Sequence, residues 1–237
     1  MFTLNNHRLL IIAPHPDDEV LGCAGLIQKV KHAGGKVYVL FLTVADTEDF
    51  SQKGFSGTHE RKEEIDEVAS FLKFDDYQII FEGDRFHLKL DLVGQHELMN
   101  QIERKSRISL EKVKPTILAF PQISSYNQDH KMSALAAFAS VRPAQKQTKH
   151  FVPYVISYEM PVDAWSLTGN PVPNLFVPLT KGELAVKLEA WKMYKSQLRP
   201  PPNPRSPRII EDLAVLRGSL IGHFFAEAFH LLRGEVL

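Results

Sequence analysis

The sequence predicts an α/β fold, a Rossmann-like and mostly parallel sheet with helices on both faces. Three observations carry this expectation. Short apolar runs alternate with amphipathic stretches of helical length through the first two-thirds of the chain. The runs are continuously apolar rather than alternating, as in strands covered on both faces. The stretches between them are long enough to serve as crossover helices.

Taken in order, Arg8–Pro14 contains Leu9-Leu10-Ile11-Ile12-Ala13 and reads as the first strand. A helix follows over about Glu19–His32 and stops at Gly34-Gly35, because glycine takes the left-handed conformation that closes a helix. Lys36–Val44 is the second strand. His59–Leu72 is a helix with Ile65, Val68, Ala69 and Leu72 at helical spacing. Tyr77–Phe81 is a third strand, Gly94–Val113 a helix, Pro115–Phe120 a fourth strand and Lys131–Ser140 a helix. Beyond Arg142 the texture changes. Phe151–Glu159 and Asn174–Pro178 read as strands around the turn-rich Gly169-Asn170-Pro171-Val172-Pro173. Lys181–Gln197 and Leu213–Leu232 read as helices. The prolines of Leu198–Arg208 exclude helix and central strand there, since each removes a backbone donor. That segment is either a spacer or a lid carrying Arg205 and Arg208 to a substrate.

With no repeat and no long linker, the 237 residues form one domain, 1–237. Hydrophobic residues make up 44% and charged residues 24%, an ordinary globular composition. Lys+Arg and Asp+Glu both number 28, which argues against a nucleic-acid binder relying on a basic face. Cys23 is the only cysteine, so no intrachain disulfide forms, and its apolar surroundings make it a core residue. No run approaches the ~20 apolar residues of a membrane span. Met1 to Arg8 lack the basic start and apolar core of a signal peptide. The expectation is a soluble, cytoplasmic protein, with homo-oligomerisation left open.

Function is concentrated in His15-Pro16-Asp17-Asp18-Glu19-Val20, where the first strand runs out. Two adjacent carboxylates and an imidazole at a strand-to-helix turn are costly to keep together unless a cation neutralises them. His15 and Asp18 are three apart, so one turn brings both to a point, while Asp17 projects beside them to meet a metal-bound water. Parallel α/β sheets bind ligands outside the carboxyl ends of their strands. A partner ligand should therefore follow another strand. Pro115–Phe120 leads through a polar loop to Asp129-His130 at a helix start. His15, Asp18 and His130 thus make a His₂-carboxylate set, the pattern of catalytic zinc with an open position. Such a metal lowers the pKa of its water towards ~7. Asp17 would take that water's proton, and Asp129 would orient an imidazole or the base. Ligands of one metal cannot lie more than ~8 Å apart, which makes the set falsifiable by geometry.

Ala13-Pro14-His15-Pro16-Asp17-Asp18-Glu19 and Asn127-Gln128-Asp129-His130 resemble the two signatures of the PIG-L/LmbE-like metal-dependent N-deacetylases. Weaker matches are Ala33-Gly34-Gly35-Lys36-Val37, Arg61-Lys62-Glu63-Glu64, Lys114-Pro115-Thr116, Ser196-Gln197 and Ala226-Glu227-Ala228-Phe229. The resemblance implies hydrolysis of an N-acyl group, usually acetyl, from an amino-sugar conjugate. It implies His15, Asp18 and His130 as metal ligands, Asp17 as general base and Arg61 as a substrate contact. The metal is zinc, or iron(II), since His and carboxylate ligands accept either. One departure stands out. Many members carry a histidine three residues before the last ligand, where this chain has Asn127. An amide can donate to an oxyanion but cannot act as an acid. Either Asn127 fills the role, or Tyr126 or a distant histidine does.

His223 is one such histidine, aligned with Glu227 and His230 on the expected last helix, where a polar stripe is the simpler reading. His59 is a helix-start or pocket residue. Asp84-Arg85, Asp46 and Thr47 follow strands on the expected ligand edge, and Asp84 is a candidate contact to a sugar hydroxyl. His7, His32, His87, His96 and His150 show no constellation and are assigned to surface or core. The rival functions are a sugar-binding homologue that lost catalysis, and a metal-dependent deacylase or esterase of a non-sugar substrate.

Overall fold

The computed structural model describes residues 6–49, 51 and 53–235. Residues 1–5, part of the start weighed as a leader, lie outside the described residues. Strands β1 (Arg8–Ala13), β2 (Lys36–Val44), β5 (Asp76–Glu82), β6 (Ile117–Pro121), β7 (Tyr154–Tyr158), β8 (Leu175–Leu179) and β9 (Phe225–Gly234) form one sheet in the order β5-β2-β1-β6-β7-β9-β8. A two-stranded ribbon, β3 (Thr47–Glu48) with β4 (Phe55–Ser56), stands apart. The first five strands of the main sheet are mutually parallel, and β9 runs antiparallel to both β7 and β8.

Each face of β1 feeds its own core, because side chains alternate across a strand. Leu9, Ile11 and Ala13 pack with Val20, Ile27 and Val30 of α1 (Asp18–His32), Ile65 and Val68 of α2 (Thr58–Phe71), Trp191 of α7 (Lys181–Met193) and Ile210 of α8 (Pro207–Ser219). Leu10 and Ile12 belong to the opposite core, with Leu98 of α4 (Gln95–Asn100) and Ala134 and Ala137 of α6 (Gln128–Ser140). This two-sided burial explains the continuously apolar strands.

The chain builds outward from β1 through β2 to β5, then returns to place β6 on the other side of β1. The sheet therefore has its topological switch point between β1 and β6, the position at which open α/β sheets bind ligands.

Three expectations need correction. Gly94–Val113 is not one helix: α4 gives way to a π-helical turn at Gln101–Lys105, and the separate α5 (Leu110–Val113) follows. Ser106 turns extended, and the Ser109 hydroxyl bonds the Arg104 carbonyl, the local competition by which serine interrupts helices. A further turn, α3 (Leu90–Val93), precedes Gly94. Leu213–Leu232 is not a helix either. The helix α8 ends at Ser219, Gly222 turns with φ +73°, and Phe225–Gly234 is the strand β9. Gly218 lies so close to the Phe225 backbone that a side chain there would collide with it. Finally, Pro207, counted within the spacer, is the first residue of α8, where a missing N–H is harmless.

The helix carrying the first motif is gripped from beneath. A Cβ on Gly22 would press into the ring of fully buried Tyr158, with Cε2 at 3.0 Å. Gly22→Ala is therefore expected to cost about 1–3 kcal/mol, the usual range for overpacking. Urea unfolding measures it, and a loss within ~0.5 kcal/mol of zero, as for a surface change, would contradict the tight contact.

Candidate active site

The sharp turn after β1 sets the direction of Asp17. Asp17 caps α1 with φ 111°, a left-handed conformation that non-glycine residues adopt at a cost of ~1–3 kcal/mol. The turn is over-determined. Arg61 of α2 donates to the Pro16 carbonyl, and the Asp17 amide donates to Glu19 Oε2 at 3.1 Å. Tyr194 donates to the other Glu19 oxygen at 2.5 Å.

His15, Asp18 and His130 converge, with one ligand atom from each lying within 4.8 Å of the others. His130 Nε2 is 3.3 Å, and His15 Nδ1 3.6 Å, from Asp18 Oδ2. All three side chains are buried. The donor set fits a divalent cation, because the other imidazole nitrogens are occupied. His15 Nε2 bonds Asp129 Oδ2 at 3.0 Å, and His130 Nδ1 faces Ser125 Oγ at 3.4 Å. Against an ionised Asp129, His15 Nε2 carries the hydrogen and leaves the Nδ1 lone pair for a metal. Asp129 Oδ1 accepts the Leu90 amide at 2.9 Å, which holds the carboxylate in place.

Burial governs the protonation of the surrounding acids. It raises the Asp17 pKa, while Arg205 and Arg61 pull the other way. Burial pushes Glu19 up to about 8, so it sits protonated between Asp17 and Tyr194 at neutral pH. For Asp18 burial is outweighed by His130 and His15, and its pKa lies below the usual carboxylate value. Asp129 is likewise lowered against burial by its bond to His15.

The remaining predicted residues divide. Arg61 is buried, but its guanidinium is turned into protein: onto Pro16, to Ser196 Oγ at 3.1 Å, and 3.8 Å from Asp17. It braces the turn that carries Asp17. Glu64, the other half of its motif, accepts the Ser196 amide and hydroxyl, both at 2.7 Å. Asn127 is the N-cap of α6, its Oδ1 accepting the Asp129 amide at 2.9 Å. Asp46 accepts both the amide and the hydroxyl of Thr58 at the start of α2 and is spent there. Asp84 is exposed on the loop after β5, and His59 is an exposed helix residue beside Glu63.

His223 is corrected. It sits in the exposed turn between α8 and β9, away from any shared face with Glu227 and His230. Those two are three apart on a strand and point to opposite sides. Glu227 instead accepts the Gly25 and Leu26 amides and pairs with buried Lys187 at 2.7 Å.

Several participants were not legible in the sequence. His87 stacks edge-on against His15, ring centroids 5.0 Å apart, and bonds Thr43 Oγ1 at 3.0 Å. Burial, then His15, drives its pKa down to about 3. Asp163 is fully buried after β7, and its charge helps to raise the His130 pKa. Of the two arginines the sequence offered in the proline-rich segment, the Arg205 charge acts on Asp17, whereas Arg208 pairs with Asp212 on the surface.

Residues 10–141 match the family described as PIG-L, GlcNAc-PI de-N-acetylase. The chain belongs to the PIG-L family. The matched region holds both signatures and Arg61, while Arg205 and Glu227 fall beyond it. None of the curated proteins matches in sequence. Among solved structures, a conserved protein of Thermus thermophilus is 23% identical with TM-score 0.72, over 98% of this chain and 97% of its own. The N,N'-diacetylchitobiose deacetylase of Pyrococcus horikoshii is 20% identical with TM-score 0.71, over 96% and 84%. The 4-carboxy-2-hydroxymuconate hydratase of Pseudomonas putida is 17% identical with TM-score 0.70, over 98% of each chain. These likenesses establish the PIG-L fold over nearly the whole chain. Among the described residues no helix is long and apolar enough to cross a membrane.

Asp129→Ala removes the partner of His15 Nε2 and is expected to lower metal affinity about 10–100-fold. Competition against a chromogenic chelator reads this directly, and unchanged affinity would show that Asp129 does not orient the ligand.

Proposed function

We propose that this protein is a zinc-dependent hydrolase that removes the N-acetyl group of an amino-sugar conjugate. The observation that carries the reading is the buried His15–Asp18–His130 cluster with Asp17 beside it, in a PIG-L domain. The Pyrococcus structure, named for a diacetylated amino sugar, supports the substrate class.

Held by His15 Nδ1, Asp18 and His130 Nε2, zinc would polarise the acyl carbonyl and supply hydroxide near neutral pH, and iron(II) suits the same donors. The protein's own groups do the rest. Asp17, its pKa raised by burial towards the working pH, accepts the proton of the attacking water. Arg61 keeps it aimed from 3.8 Å. As the C–N bond breaks, Asp17 returns the proton to the departing nitrogen, leaving acetate and a free amine. Asn127 acts through Asp129, and its amide nitrogen remains as a donor for the oxyanion. Asp84 stands on the ligand edge for a sugar hydroxyl, and His223 takes no part.

The likeness to a hydratase favours a second reading, addition of water to an unsaturated acid. Acetate release from N-acetylglucosamine conjugates, by zinc-loaded and chelated protein, separates the two. Metal-dependent release is expected, with no loss of absorbance from an unsaturated dicarboxylate, and the reverse pattern would overturn the proposal. Asp17→Asn should retain one equivalent of metal and lose about 10²-fold or more in kcat. Full turnover by that variant would remove Asp17 from the role of base.

A further inference from the structure

We propose that His87 is a substrate-binding residue of this site, its Nε2 accepting the hydrogen of the sugar hydroxyl adjacent to the acylated amine. The inference rests on the deacetylase reading and adds a contact that neither signature contains.

The tautomer follows from hydrogen-bond accounting. Thr43, on β2, lies next to the Pro14 carbonyl, which receives the Thr43 amide at 3.0 Å and the Thr43 hydroxyl at 3.2 Å. A hydroxyl has one hydrogen, and it is assigned to Pro14, whose carbonyl can only accept. Towards His87 Nδ1, at 3.0 Å, the Thr43 oxygen can then only accept. The neutral imidazole therefore carries its proton on Nδ1 and offers a bare lone pair at Nε2.

Position gives that lone pair its use. The His87 ring packs edge-on against the ring of His15, 5.0 Å between centroids, and is only half-buried. Among the described residues its Nε2 has no hydrogen-bond partner, whereas Asp129, whose charge His87 feels, serves His15 and Leu90. With the N-acyl carbonyl at the cluster, the proposed contact sets the sugar ring against this acceptor beside His15. In an N-acetylglucosamine unit the C3 hydroxyl is the one nearest the acylated nitrogen along the ring. A site that hydrogen-bonds a hydroxyl rejects an analogue lacking it, because its acceptor is left unpaired.

The test compares methyl N-acetylglucosaminide with its 3-deoxy analogue, using wild type, His87→Phe and His87→Gln, with metal content measured for each. Phenylalanine keeps the ring against His15 without nitrogens, and glutamine restores an acceptor near the Nε2 position. All three proteins should bind one equivalent of metal. On the parent glycoside His87→Phe should lose about tenfold or more in kcat/KM, with part of it regained by His87→Gln. The 3-deoxy analogue should be slowed similarly in wild type and no further in His87→Phe. Wild-type kcat/KM in His87→Phe, or an equal extra loss on the 3-deoxy analogue, would overturn the hydroxyl contact alone. Loss of metal from both variants would reduce His87 to a support for His15 and also overturn it. Metal-loaded wild type that releases acetate from neither glycoside would overturn this contact together with the deacetylase reading.

Discussion

The interaction on which the rest depends is the gathering of acids and imidazoles at the switch point between β1 and β6. Asp17, Asp18, Glu19, Asp129 and Asp163 are all buried there. Uncompensated, so many carboxylates would protonate or force the edge open. Compensation arrives in layers. Each metal-ligand candidate touches another group of the cluster, and His15 alone spans Asp18 on one nitrogen and Asp129 on the other. Glu19 escapes by staying protonated, and Arg61 offsets Asp17. Asp18 and Asp129 each sit in the first turn of a helix, where free amides favour negative charge. A divalent cation completes this balance more naturally than any further side chain.

Holding that cluster requires bracing from distant sequence. Ser196, just beyond α7, is held by Glu64 and receives Arg61, while Gln197 accepts Arg205 at 2.6 Å. Asp17, Arg61 and the proline-rich segment are thereby joined through one set of hydrogen bonds. On the other side of α1, Lys187 and Glu227 form a buried pair that contacts the helix backbone at Leu21, Gly25 and Leu26. Buried pairs contribute little net stability against apolar replacements. Their effect here is registry: Glu227 fits only because Gly25 has no side chain, since a Cβ there would lie 2.9 Å from the carboxylate. The weak C-terminal matches to the family, Ser196-Gln197 and Ala226 to Phe229, thus acquire a physical meaning as braces for the motif helix.

What the sequence made legible was local. The strand β2 has the bounds expected for it, and β1, β5 and β6 lie within two residues of theirs, because continuous apolar runs between polar flanks have few alternatives. The metal-ligand candidates were legible because His15 and Asp18 follow the first strand closely and His130 opens the helix after the loop that leaves β6. Failures came where tertiary context decides. Leu213–Leu232 contains apolar residues at helical spacing, yet the region from Phe225 enters the sheet between β7 and β8, and only Gly218 and Gly222 hinted at the break. His87 could not be found by motif. It stands on a loop after an outer strand, and its meaning comes from Thr43 and His15, both far away in sequence. Arg61 was found by its pattern rather than its geometry, and in the structure its guanidinium meets the Pro16 carbonyl of the motif.

The same logic changes the meaning of Asn127. Judged against a histidine at its position, it is a lost acid. In the structure its carbonyl oxygen caps α6 through the Asp129 amide, a contribution of about 1 kcal/mol typical of such caps. That cap fixes the first turn of α6, which carries Asp129 and His130 together. Asp129 then fixes His15. One asparagine thus stands at the head of a chain of contacts ending on two of the three candidate ligands. A histidine could reproduce this cap only by giving up a ring nitrogen to it. Acid chemistry and ligand orientation therefore compete for this position, and in this chain the competition is resolved in favour of orientation. The Asn127 carbonyl is committed to the α6 cap, and only its amide nitrogen is left over.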